Sequence, residues 1–227
     1  MATPTEKGQG SGWQRHFFYR KESLKTTWTL RLSVLLLAVF IVWMTHGFWT
    51  LKIGESLTCK EQVIPSDALL VENFDPIYVV FERAAALQRA GVADKIFVPV
   101  SAGEDEEMPS AVYEGFATVM SRIARIQDMK VIPVPAIEPI SLNAANRIRD
   151  FLVRENVKSV VVVSPVFRSR RSLLVYNAVL APAGITVRCV PVLTGHTPKN
   201  WTHSWHGIEE VGLQFLKLQY YRFYVLL

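Results

Sequence analysis

The chain has 227 residues, half of them hydrophobic, with 25 lysines and arginines against 20 aspartates and glutamates, for a formal charge of +5. Residues 1–31 hold six basic and two acidic side chains, and residues 52–227 hold 19 and 18. The excess therefore sits in a short tail, and the remainder carries no electrostatic footprint for nucleic acid.

The tail, residues 1–27, opens on a stretch rich in Gly, Ser and Thr that is expected to be disordered when alone. Its basic residues suit contact with anionic lipid. Residues 32–51 follow without a formal charge, long enough to cross a bilayer as a helix. Trp28, Trp43 and Trp49 sit near the ends of that run, where aromatic rings favour the headgroup region. The segment His46-Gly47-Phe48-Trp49 offers no small-x-small cleavage site, so we read 28–51 as an uncleaved anchor. The positive-inside bias puts the N-terminus in the cytoplasm and residues 52–227 outside it. The expected location is the bacterial inner membrane, single-pass, with the main domain in the periplasm and the lipid bilayer as first partner.

Beyond the anchor, roughly 175 residues make one core and not two. Strands are predicted at 67–71, 95–100, 130–134, 157–164 and 185–192. Helices are predicted at 76–90, 109–127, 141–155, 167–180 and 207–224. Strands separated by helices of this length imply right-handed βαβ crossovers and a mainly parallel sheet. The fold class is α/β, a Rossmann-like three-layer domain.

Within it, Val160, Val161, Val162 and Val163 read as a central strand buried on both faces. Ser164 and Pro165 end the strand, and Arg168, Arg170 and Arg171 fall on the first turns of the next helix. Open α/β sheets bind ligands at the carboxyl ends of their strands, and helix starts attract anions.

The segments Glu138-Pro-Ile-Ser141-Leu-Asn143 and Val161-Val-Val-Ser164-Pro-Val-Phe167-Arg168-Ser-Arg170-Arg171 resemble a bacterial domain-of-unknown-function family that includes SanA, ElyC and YdcF. The resemblance runs from Asp67 to Gly212. It implies a Rossmann-like sheet, an N-terminal anchor and a part in cell-envelope biogenesis. Glu138, Ser141, Asn143 and Arg171 keep the family residue type, and with Arg168 they form the expected anion-binding set. The departures are Ala144 for Thr, Asn146 for Glu, Arg147 for Asn and Arg168 for His. Glu72-Asn73-Phe74 stands where the family has a glycine-rich turn. Loss of glycine weakens a phosphate cradle, and arginine cannot exchange a proton near neutral pH. No catalytic residue, metal or cofactor is therefore assigned, and the site reads as an eroded one that binds.

Glu104-Asp105-Glu106-Glu107 reads as a solvated acidic loop, because EF-hand spacing is lacking. His196, His203 and His206 lie within eleven residues, but with no cysteine near and Trp201 and Trp205 between, they read as an amphipathic loop and not a zinc site. Ser164 lacks the elbow of a hydrolase nucleophile. Cys59 and Cys189 would be permitted a disulfide outside the cytoplasm, although sequence alone does not bring them within bonding distance. The C-terminal helix is apolar on nearly every side; the expectation is that it covers one sheet face, with its last six residues as the best interface. Two functional readings remain open. One is an anchored domain that binds an anionic envelope ligand. The other is an accessory subunit of a larger membrane protein complex, docked through the anchor and the C-terminal apolar helix.

Overall fold

The computed structural model describes residues 27–75, 77–103 and 108–226. The tail read at 1–27, apart from Thr27, and the acidic run at 104–107 lie outside the described residues. Helix α1, Trp28–Ser56, is 29 residues long, about 43 Å at the α-helical rise. It is long and apolar enough to cross a bilayer. The chain divides into two compact units between His46 and Gly47. In the first, the side chains of Leu36, Leu37, Val42 and Trp43 are all exposed.

The second unit is an α/β domain. Its elements are β1 Ala68–Val71, α2 Tyr78–Arg89, β2 Lys95–Ser101, α3 Ala111–Ala124, β3 Met129–Val134, α4 Ile140–Arg154, β4 Ser159–Pro165, α5 Val166–Leu180, β5 Thr186–Val192 and α6 Trp205–Tyr220. The five strands are parallel throughout, in the order β3-β2-β1-β4-β5. This is a Rossmann-like doubly wound sheet. Strand alternation sorts the core into two layers. Leu69, Val71, Val161 and Val163 pack with α2 and α3, through Val80, Phe81, Ala84 and Ala117. Ala68, Leu70, Val160 and Val162 pack with α4 and α5, through Ala145, Ile148, Val175 and Leu180. Val160, Val161, Val162 and Val163 are each 0 % exposed, so both faces of β4 are covered, as the valine run predicts. Burial of each such side chain contributes about 1.5–3 kcal/mol.

At the amino end of the sheet, the Asp67 carboxylate accepts hydrogen bonds from Lys158 N at 2.7 Å and Ser159 N at 2.8 Å. These bonds tie the start of β1 to the start of β4. The Lys158 N–H foremost holds the Asp67 pKa below its ordinary value. A depressed carboxylate pKa stabilises the fold above the unfolded value of about 3.9 and loses that effect as pH falls through the lower folded value. Asp67→Ala is therefore expected to lower Tm at neutral pH, with the gap to the native chain closing below about pH 4. Melting curves of both chains across that range check it.

One feature settles what the sequence left open, and a second departs from the sequence reading. The Cys59 and Cys189 sulfurs are bonded, joining residues 130 apart in sequence. The segment after α1 runs beside β5 and α5: Gln62 N donates to Cys189 O, Arg170 N to Leu57 O, and Cys59 N to Ser169 Oγ. The C-terminal helix does not cover a sheet face. Both faces are already occupied by α2–α5, so α6 packs on α5 instead, with Leu57, Val166, Phe167, Trp201, Val211 and Leu218 forming a third small core. Residues Tyr221–Val225 continue it as one wider helical turn. Leu216, Phe223 and Tyr224 on this helix and turn are exposed.

Candidate functional site at the carboxyl ends of the strands

Chain connections leave β1 and β4 toward opposite faces of the sheet, which opens a crevice at their carboxyl ends. A cleft of about 400 Å³ lies there. Its lining comes from the loop after β1 (Phe74, Asp75), the end of β3 and start of α4 (Glu138, Ile140, Ser141), the first turns of α5 (Arg168, Arg171), and the C-terminal helix (Lys217, Tyr220, Tyr221).

Of the five residues expected to converge, Glu138, Ser141, Arg168 and Arg171 line this cleft. Arg171 is the hub. Its Nη1 donates to Ser141 Oγ at 2.7 Å, its Nη2 to Gln214 Oε1 at 3.2 Å, and its Cζ lies 5.5 Å from the centre of the Tyr221 ring. Arg168 pairs with Asp75. Asn143 is not in the lining; its Nδ2 donates to Ile137 O at 3.0 Å and closes the loop before α4. Arg170, one helical step off the face shared by Arg168 and Arg171, points elsewhere and is exposed.

The start of α4 is satisfied from two sides. Glu138 Oε2 accepts from Ile140 N at 3.3 Å, and the Tyr221 hydroxyl accepts from Ser141 N at 3.0 Å. Two of the free N–H groups expected to greet an anion are thus occupied. The positive charge comes from side chains instead. Arg168 and Arg171 are both buried, and Arg168 Nε and Nη1 and Arg171 Nε have no hydrogen-bond partner among the described residues. Burial, and then the Arg168 charge, lower the Arg171 pKa. Burial, and then Arg171 and Arg168, lower that of Lys217. Three cations are held close enough to repel one another, while Asp75 and Glu138 in the lining and Glu72 behind it offset part of their charge.

Behind them lies a polar layer that the sequence reading treated only as a lost glycine turn. Glu72, 4 % exposed, accepts from Ser172 Oγ at 2.7 Å. Its charge opposes the lowering of the Arg171 pKa, and burial and then Glu72 raise that of Tyr176 well above the ordinary phenol value. Asn73 is buried beside it in sequence, and neither its Nδ2 nor its Oδ1 has a partner among the described residues. Lys217, Gln214 and Tyr221 were also missed as site residues. The polar interruptions of the terminal helix were visible in sequence, but the face they share meets the cleft only through packing on α5.

The histidines lie apart from this cleft. His196 Nε2 is 2.8 Å from Ser204 Oγ, and its Nδ1 is 3.4 Å from Glu210 Oε2. Ser204 Oγ also accepts from Gly207 N and so caps α6. This chain of contacts fastens the loop to the helix. Gly207 is required there, since a Cβ would lie 2.2 Å from Trp201 O.

No family model and no curated protein matches the chain. Among solved structures it is similar to a universal stress protein solved in complex with cAMP. The two share 16 % identity over 56 % of this chain and 98 % of that one, with a TM-score of 0.36.

Proposed function

We propose that this chain is a single-pass membrane protein whose outer α/β domain binds an anionic envelope ligand, a phosphorylated glycan or lipid carrier, in cell-envelope biogenesis. In this reading it is a SanA/ElyC/YdcF-like domain that acts by binding. The observation that carries the reading is the cluster of Arg168, Arg171 and Lys217 around one cleft at the sheet's switch point, with guanidinium N–H groups unpartnered. A phosphate or carboxylate in the cleft would meet the charge of the arginines and lysine that line it. The topology rests on the basic tail, and the Cys59–Cys189 bond suits an oxidising compartment. A cysteine-accessibility assay with Ser11→Cys and Ser110→Cys in a chain otherwise free of cysteine tests it: labelling of Ser110→Cys from the periplasm, with Ser11→Cys shielded, is the expected pattern.

Arg171→Ala removes a charge-assisted contact worth about 1.5–3 kcal/mol, so affinity for inorganic phosphate or a soluble sugar phosphate is expected to fall about ten- to a hundredfold. Isothermal titration of the native and variant chains measures it. Arg168 stands at the family's histidine position and is held by Asp75, which leaves no proton-transfer group at that point. Turnover of a phosphorylated lipid or glycan by the native chain, abolished in Arg168→Ala, overturns the binding reading.

One observation favours the second reading, an accessory subunit of a membrane protein complex. Val112, Phe116, Val119 and Ile123 recur at helical spacing on α3 and are each at least half exposed, an apolar stripe of the kind that meets a partner. It adds to the anchor and the exposed Leu216, Phe223 and Tyr224 of the C-terminal segment. Copurification from mild detergent with a stoichiometric partner that Phe116→Glu releases would support this reading over the first.

A further inference from the structure

A second hollow, of about 790 Å³, lies between residues 55–60, α5 and α6, on residues that the cleft above does not use. We propose that it seats the headgroup of an anionic phospholipid from the leaflet on the domain's side. The proposal rests on the reading of α1 as a membrane anchor. Three cations line the hollow: Lys60, Arg170 and Arg222. None of them forms an ion pair among the described residues. The one acid in the lining, Glu55, is taken by Lys52 Nζ at 2.9 Å. The hollow therefore holds a positive charge that nothing in the described chain offsets. Its remaining wall includes Leu174, Phe215 and Leu218, so charged and apolar surfaces meet in one place, as a phosphate joined to acyl chains requires.

Depth selects the source of the phosphate. The uncharged run ends at residue 51, and 20 residues of helix span about 30 Å, the hydrocarbon thickness. Residues 55–60 follow four to nine positions beyond that end, at headgroup level. Lys60 and Arg170 thus meet lipid phosphate in an anchored chain without any diffusing ligand. Arg170 explains itself in this way: of the three arginines opening α5, it is the one turned away from the strand-end cleft and left exposed.

The test uses the full chain in detergent micelles, titrated with phosphatidylglycerol or phosphatidylcholine and read by native mass spectrometry. Phosphatidylglycerol is expected to be retained roughly tenfold or more tightly, three basic side chains near a lipid surface each adding severalfold. The triple variant Lys60→Ala, Arg170→Ala, Arg222→Ala is expected to bind both lipids alike, and Arg170→Ala alone, at an exposed position, to lose severalfold of the preference. Equal retention of the two lipids by the native chain overturns the proposal. So does a preference that survives the triple variant, equal retention of glycerol 3-phosphate, or a dimer that excludes lipid. Carbonate extraction of membranes separates the premises: a chain that washes off ends the anchor reading and this proposal together, whereas a retained chain with no lipid preference ends this proposal alone.

Discussion

Replacing Glu72 by alanine is expected to cost about 3–5 kcal/mol of unfolding free energy, the range seen when one partner of a buried charge cluster is removed. Glu72 directly follows β1 inside the domain, accepts a hydrogen bond from Ser172 of α5, and lies where its charge acts on Arg171 and Tyr176. Without it, two buried guanidinium groups keep only the cleft's exposed acids among the described residues, Asp75, which Arg168 already engages, and Glu138. The Ser172 hydroxyl loses its carboxylate acceptor as well. Glu72→Gln keeps the shape and an acceptor oxygen but not the charge, so its cost isolates the electrostatic part and should fall between the native chain and Glu72→Ala. Urea unfolding of the three chains measures this. A loss below about 1 kcal/mol for Glu72→Ala would mean that the arginines are compensated by solvent and not by this carboxylate.

The second large effect belongs to the disulfide. Cys59→Ser together with Cys189→Ser is expected to lower stability by about 2–5 kcal/mol, since the bond closes a loop spanning most of the domain and the entropy it removes from the unfolded chain grows with loop length. For a domain of this size that corresponds to roughly 2–4 °C in Tm for each kcal/mol. The native state is expected to survive: the main chain at positions 57, 59 and 62 keeps its hydrogen bonds to Arg170 N, the Ser169 hydroxyl and the carbonyl at position 189, and Leu57 stays in the third core. The double variant should therefore melt earlier yet retain its circular dichroism at 25 °C, and dithiothreitol should lower the Tm of the native chain but not that of the variant. No response of the native chain to reductant would mean that the thiols are unpaired in the isolated protein.

Much of the architecture is legible in the residues because a parallel strand buried on two faces writes itself locally. The valines at 160–163, the runs at 95–100 and 185–192, and the helices between them can be read without knowing what they touch, and βαβ handedness then leaves few topologies. The same holds for the apolar stretch at 32–51. Half of the cleft is legible too, since Arg168 and Arg171 follow a strand end at helical spacing, and Ser141 and Glu138 open the preceding helix. What the residues do not carry is which distant surfaces meet. Strand order, the bond between cysteines 130 positions apart, and the arrival of Gln214, Lys217 and Tyr221 over Arg171 all depend on where α6 finds an uncovered flank. The residues show a helix apolar on nearly every side, for which a sheet face is the expected cover. Only packing decided that both faces were full, so that α6 settled on α5, turning its polar residues into one wall of the cleft and leaving Leu216, Phe223 and Tyr224 exposed.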